Sequence, residues 1–276
     1  MRMINNIRFD KNEKVSKSIQ VFMELPFYVT KKHTYKNISF LYDGKSIEIR
    51  SGEYGLPCID DYDVLIYITT YIIGVINVEL KKSKINIDEF DVKPPKRLSF
   101  SAYDFLKYSS RSVCGKSYDA LYESLLRLYD TKIKTNFLDG NNSETWSRFI
   151  DEVSFSNNIE VKLSDWLYRL MHTKKVKTIE NSYYQLKPSE KRVYNLIKKH
   201  FGIKATWNMG LNKIYKKLNV QTTIYQFRHM IRQISKRNKL PSFRIMYSKK
   251  LDSVYVFART DQGNKLLNDF IISGIY

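Results

Sequence analysis

Cysteine is nearly absent from this chain of 276 residues: only Cys58 and Cys114 occur, without metal-type spacing. That argues against a disulfide scaffold and against a zinc site. Long apolar runs are also missing. The most apolar stretch, residues 64–78 (VLIYITTYIIGVINV), is interrupted by Thr69, Thr70, Gly74 and Asn77. It is short of the roughly 20 residues a membrane span needs. A buried core helix is the better reading, although its β-branched content leaves a strand pair open. The opening MRMINNIRFDKNEK lacks the apolar core of a signal peptide. Residues 1–18 read as a basic leader, and the chain is expected in the cytoplasm.

Acidic residues are scarce in one half only. The formal net charge is +19. Residues 1–157 hold 23 Lys and Arg against 21 Asp and Glu, whereas residues 158–276 hold 24 against 7. Such asymmetry directs the second half toward a polyanion. An anionic membrane would call for an amphipathic helix with Trp or Leu opposite a Lys-rich face. The second half instead offers a helix pair and a β-hairpin, which suits nucleic acid better. At 43% hydrophobic residues the chain can bury a real core, and its length suits two modest domains.

The organising stretch is residues 211–239, LNKIYKKLNVQTTIYQFRHMIRQISKRNK. Leu211, Ile214, Tyr215 and Leu218 recur at i, i+3, i+4 and i+7, the apolar face of a short helix. Asn219 is a suitable stop, since Asn tolerates the left-handed conformation after a helix end. Thr222 or Thr223 can cap a second helix. There Ile224, Phe227, Ile231 and Ile234 share one face. Thr222, Tyr225, Gln226, His229, Arg232, Gln233 and Lys236 share the other, which carries no carboxylate. Two β-like runs follow, residues 242–248 and 253–259, joined by Lys249-Lys250-Leu251-Asp252. Helix, turn, basic helix and hairpin is the pattern of a winged helix-turn-helix. Upstream, Pro188 opens and Gly202 closes a helix with Val193, Leu196, Ile197 and Phe201 inward. Residues 183–186 read as extended, and residues 262–276 as a closing helix.

The first half carries a similar pattern. Residues 19–30 read as extended and broken by Pro26. Residues 37–49 read as a hairpin around Asp43-Gly44. Asp60, Asp61 or Asp63 can cap the apolar helix, where carboxylates favour the positive end of the dipole. A polar connection with Pro94-Pro95 leads to a helix over 99–108 and a second over 116–129, striped by Tyr118, Leu121, Leu125 and Leu128. The β-like residues 131–138, a polar turn at 139–143 and residues 146–155 repeat the hairpin. The outer face of the second helix mixes Lys116, Asp119, Glu123, Arg127 and Asp130, and carboxylates repel a phosphate backbone. Ser164 caps a helix over 163–172. The boundary lies within 173–181, which contains Lys174, Lys175 and Lys177. The expected fold is α+β: two tandem winged-helix domains, residues 1–178 and 179–276.

Several motifs then match a known family. Residues 22–27 (FMELPF), 54–67 (YGLPCIDDYDVLIY), 101–106 (SAYDFL), 115–118 (GKSY), Leu121, 125–136 (LLRLYDTKIKTN) and 186–194 (LKPSEKRVY) resemble plasmid initiators of the replication initiator protein A family. The resemblance spans roughly residues 20–260. It implies two winged-helix domains, binding to repeated sequences (iterons) at a plasmid origin, duplex opening, and recruitment of host initiator, helicase or loader. It also implies a homodimer in solution that pairs through the first domain and binds repeats as a monomer.

On this reading the partner is double-stranded DNA. Tyr225, Gln226, His229 and Arg232 read base edges, since Gln suits adenine and Arg suits guanine, and Thr222 contacts DNA from the same face. Arg228, Lys236, Arg237, Lys239, Lys249 and Lys250 hold phosphates. Lys116, Arg127, Lys132 and Lys134 make a secondary contact from the first domain. No cofactor, metal or catalytic residue is expected. The rival with the same fold is an operator-binding transcription regulator. A DNA-nicking enzyme fits less well, because His33, His172, His200 and His229 never take the His-hydrophobic-His spacing. Nucleotide hydrolysis by a phosphate-binding loop is disfavoured, since Gly115-Lys116-Ser117 lacks the earlier glycine: position 110 is Ser.

Overall fold

The computed structural model describes residues 16–24, 27–29, 37–42, 45–83, 95–135, 146–172, 175–220 and 222–275. The chain divides into two compact units, Met1–Ile19 with Phe27–Tyr184, and Gln20–Pro26 with Gln185–Tyr276. Mixed helices and open sheets make up both, and every pairing between named strands is antiparallel. Much of the leader, the Asp43-Gly44 turn, Pro94, the turn at 139–143, Lys174 and His33 lie outside the described residues.

The first described elements are β1 (Ser16–Ile19) and α1 (Gln20–Glu24). Residues 19–30 were expected to be extended, but five of them form α1, too short for periodicity to reveal. In the first unit β2 (Ile38–Tyr42) and β3 (Lys45–Arg50) form the expected hairpin. The apolar run is helical: α2 (Tyr62–Ser83). Its two threonines turn their hydroxyls back on the helix, Thr69 to the Leu65 carbonyl and Thr70 to that of Ile66, both at 2.7 Å. Thr70 Oγ1 also accepts the Lys17 N–H at 2.7 Å, which fastens β1 alongside α2. Among the described residues, no helix is long and apolar enough to cross a membrane.

β4 (Arg97–Phe100) precedes α3 (Ala102–Tyr108), so the helix expected from residue 99 starts three residues later, with Ser101 at its N-cap. Then come α4 (Gly115–Asp130), β5 (Lys132–Thr135), β6 (Trp146–Ser147), β7 (Ile150–Phe155), β8 (Ile159–Leu163) and α5 (Asp165–His172). Leu121, Leu125 and Leu128 of α4 are buried as expected. Ser164 accepts the Leu167 N–H at 3.1 Å at the start of α5. The hairpin assignment changes. β5 and β6 join β2 and β3 in the order β2-β3-β5-β6, while β7 and β8 pair with β4 in the order β4-β8-β7. The hairpin belonging to the helix pair α3 and α4 is therefore residues 150–163. Residues 176–179, placed by the sequence in a boundary segment, are β9 (Val176–Ile179), paired with β1.

A 3₁₀ turn (Asn181–Gln185) stands where an extended segment was expected. The second unit then runs α6 (Pro188–Phe201), β10 (Thr206–Gly210), α7 (Leu211–Leu218), α8 (Ile224–Arg237), β11 (Phe243–Ser248), β12 (Ser253–Ala258) and α9 (Asp261–Ile272). Its sheet order is β10-β12-β11. α6 carries Val193, Leu196, Ile197 and Phe201 into the core. The short helix α1 also packs against α6, and its Phe22 and Met23 are buried. The second unit is thus made from two separated stretches of chain.

Both units share one element order. A long helix is followed by a strand, two helices and a hairpin, and the hairpin's second strand pairs with the first strand. The first unit differs by inserting β5 and β6 before its hairpin.

Candidate nucleic-acid interface

The helix α8 is fixed at both ends by its own sequence. Thr223 is the N-cap: its Oγ1 accepts the Gln226 N–H at 3.3 Å, and the Thr223 N–H donates to Gln226 Oε1 at 3.2 Å. This reciprocal pair satisfies two N–H groups that a helix start leaves open. At the other end Asn238 takes the left-handed conformation, φ 46°, as Asn219 does after α7, φ 44°. Phe227, Ile231 and Ile234 are buried beneath the helix. Tyr225, Gln226, His229, Arg232, Gln233 and Lys236 are exposed. Those positions fall at i, i+1, i+4, i+7, i+8 and i+11, one continuous face. No carboxylate occurs anywhere in α8.

The expected base-reading residues are therefore brought together, with two qualifications of chemistry. Tyr225 is 76% exposed, and His229 Nε2 lies 3.4 Å from Gln233 Nε2. The Gln226 carbonyl is used by the cap, so a bidentate grip on adenine requires it to leave Thr223. Thr222 is exposed, and its carbonyl accepts the Tyr215 hydroxyl at 2.6 Å. Arg232 holds its guanidinium 5.3 Å above the Tyr247 ring, a cation–π seat.

The phosphate candidates divide. Lys236, Lys239, Lys249 and Lys250 are exposed along α8, just after it and on the hairpin turn. Arg228 and Arg237 differ from these lysines in one respect: each is engaged by a carboxylate of its own unit, Arg228 half-buried and Arg237 exposed. Arg228 donates to both oxygens of Asp252, Nε at 3.1 Å and Nη2 at 2.9 Å. Asp252 holds the Arg228 guanidinium charged beyond its ordinary range, and in return its own carboxylate is pulled below normal. Arg237 Nη1 lies 2.9 Å from Glu190, a buried carboxylate that also accepts the Lys187 N–H at the start of α6.

In the first unit Lys116 is exposed on the first turn of α4. Arg127 is a correction. It points inward rather than onto the outer face, and its guanidinium donates to both oxygens of Asp61, Nε at 2.8 Å and Nη2 at 2.9 Å. Asp63 is likewise engaged by Arg111 at 2.9 Å. These carboxylates thus serve buried ion pairs, and among the described residues no acid, histidine and cysteine group has the geometry to hold a metal.

Lys132 and Lys134 lie on a sheet face rather than a free hairpin. Lys132 pairs with Arg50, and Lys134 with Glu48 and Trp146. The pleat puts these side chains on one face, opposite the buried Ile47, Ile49 and Ile133. Lys132 is exposed, Lys134 is half-buried, and the Arg50 guanidinium stacks 4.2 Å over Trp146 while donating to Glu48 at 2.9 Å. Sequence reasoning missed Arg50 and Trp146, because β3 and β5 meet only through a pairing across more than eighty residues.

The two cysteines differ sharply. Burial pushes the Cys58 thiol up to about 12, helped by the nearby Asp61 and Asp60 carboxylates. Cys114 is exposed at the N-cap of α4, where hydrogen bonds with the Ser117 and Ser112 hydroxyls lower its thiol to about 7.

Comparison with known proteins places this arrangement. The family model described as Replication initiator protein A matches residues 17–245. A curated protein of Wigglesworthia glossinidia brevipalpis, named "Putative replication protein", is 26% identical over 239 residues, 82% of each chain. Among solved structures, a crystal structure of domains 2 and 3 of RctB aligns with a TM-score of 0.60 at 12% identity, over 88% of this chain and 99% of that one. A second structure of RctB domains 2-3 gives 0.56 at 13% identity, over 90% and 99%. At such identity the likeness is one of fold.

Proposed function

This chain belongs to the replication initiator protein A family, and from that premise we propose that it binds repeated duplex sites at a plasmid origin, helps open the duplex and recruits host replication proteins. The observation that carries the reading is α8: a capped helix whose whole outer face is polar, basic and free of carboxylates. We read the order α6, β10, α7, α8, β11, β12 as a winged helix with α8 in the major groove. Arg232 and His229 then face base edges, while Lys236, Lys249 and Lys250 face phosphates. We read α2 through β8 as a second, modified winged helix. Its weaker basic surface, Lys116, Lys132 and Lys134, suits a secondary DNA contact, and the near-balanced charge of the first half suits pairing of two copies in solution. The protein works in the bacterial cytoplasm, on DNA, by binding rather than by catalysis.

The test is footprinting of the purified chain on the DNA flanking its own gene, at two salt concentrations. Protection repeating at whole helical turns supports an initiator on direct repeats. One two-fold symmetric footprint over the promoter favours a dimeric transcription regulator instead. Absence of protection beyond that on random DNA overturns both. Sedimentation of the full chain at tens of micromolar tests pairing, and a strict monomer rejects it.

A further inference from the structure

The hairpin turn carries one acid, Asp252, beside Lys249 and Lys250. A carboxylate here is costly for a surface that meets phosphates, since it repels the DNA backbone. Its bonds suggest what it does in return. Asp252 sits at φ 43°, in the left-handed region that non-glycine residues seldom occupy. In that conformation its carbonyl accepts the N–H of Leu211, the first residue of α7, at 2.8 Å. Its carboxylate accepts the Arg228 fork from α8 and the Tyr247 hydroxyl from β11. One turn residue therefore joins the starting point of α7, the middle of α8 and the hairpin itself.

Two consequences bear on recognition. A carboxylate meets arginine in the same two-pronged geometry as a phosphate. Asp252 thus fills the Arg228 fork that a DNA phosphate would otherwise take. The Tyr247 ring, fixed through its hydroxyl, is also the seat of the exposed Arg232, 5.3 Å away. Arg232 has no carboxylate on its own helix to orient it. Tyr247 restricts a long side chain that otherwise samples many rotamers.

We propose that Asp252 is a positioning residue for sequence discrimination: it withholds Arg228 from the phosphate backbone and, through Tyr247, aims Arg232 at a base edge. This rests on the reading of α8 as the duplex-reading helix. It makes Asp252 a determinant of specificity without any contact to DNA.

The test compares the full-length wild type with Asp252→Asn, Tyr247→Phe and the double variant Arg228→Gln/Asp252→Asn. Each is titrated with a duplex from its own repeats and with a random duplex of equal length, across a salt series. Asp252→Asn is expected to bind random duplex more tightly, with a salt slope steeper by about one phosphate contact. The repeat-to-random ratio is expected to fall by about tenfold, the discrimination of one base contact. Tyr247→Phe, which removes a single hydroxyl and spares the fold, is expected to lower the ratio with the slope unchanged. The double variant is expected to return the slope to the wild-type value. A wild-type ratio and slope in both Asp252→Asn and Tyr247→Phe overturns the proposal. If the wild type itself does not distinguish repeats from random duplex, the reading of α8 fails first and takes the proposal with it.

Discussion

Arg127 and Asp61 form a two-pronged ion pair, 2.8 and 2.9 Å, with the side chains 1% and 0% exposed. Asp61 also accepts the Cys58 N–H at 2.7 Å. The pair ties α4 to the loop that starts α2. Removing one partner leaves the other charge buried and alone, which costs about 3–5 kcal/mol. Arg127→Ala should therefore lower the unfolding midpoint strongly. At a temperature where the variant is still folded, duplex affinity should match wild type. An intact midpoint with weakened DNA binding would put Arg127 back on the surface.

Arg232 and Lys249 should separate base reading from phosphate binding. Arg232→Ala is expected to cost about 1–3 kcal/mol on the cognate site and to relax preference at one base pair. Lys249→Ala should weaken binding to every sequence alike and flatten the salt slope by about one. An equal loss on all sequences for Arg232→Ala would make it a phosphate contact. An unchanged slope for Lys249→Ala would take the hairpin turn off the DNA.

The reach of sequence reasoning follows the range of the forces involved. The N-cap of α8, the Asn219 stop, Pro188 and Gly202 around α6, and the apolar stripes are local, and all were legible. Arg127 was misplaced because a long cation is counted as surface by type, yet it is buried against Asp61, far away in sequence. The ion pairs of Arg228 with Asp252 and of Arg237 with Glu190 were hidden for the same reason, although Arg237 does stay exposed. The pairing of β3 with β5 and of β1 with β9 was hidden in the same way. The helix expected over 99–108 began too early, because Ser99 and Phe100 belong to a strand whose partner, β8, lies about sixty residues away.

The two thiols should titrate apart. A group lowered to about 7 gains thiolate as pH rises through neutrality, so alkylation of Cys114 should accelerate steeply between about pH 6 and 8. Cys58, buried and pushed up to about 12, should stay unmodified until the chain unfolds. Mass mapping after a brief exposure to iodoacetamide at several pH values checks both. Modification of Cys58 at the Cys114 rate in the native protein would contradict its burial.

Phe22 should govern the stability of the second unit despite its place near the beginning of the chain. Phe22→Ala opens a cavity where α1 packs on α6, at a cost of about 3–5 kcal/mol. A fragment of residues 185–276 should melt below the full chain's second unit, and a peptide of residues 16–28 added in trans should raise its midpoint. A fragment as stable alone as with the peptide would show that α1 adds nothing.

That discontinuous construction also sets an order of assembly. Chains emerge from the ribosome N-terminus first, so Phe22 and Met23 are synthesised long before α6, the helix they cover. Until α6 arrives, α1 lacks the helix it packs on in its own unit. A transcript cut short after the first unit would yield a protein whose α1 lacks its α6 partner. Only a chain translated through α6 can complete the packing of α1.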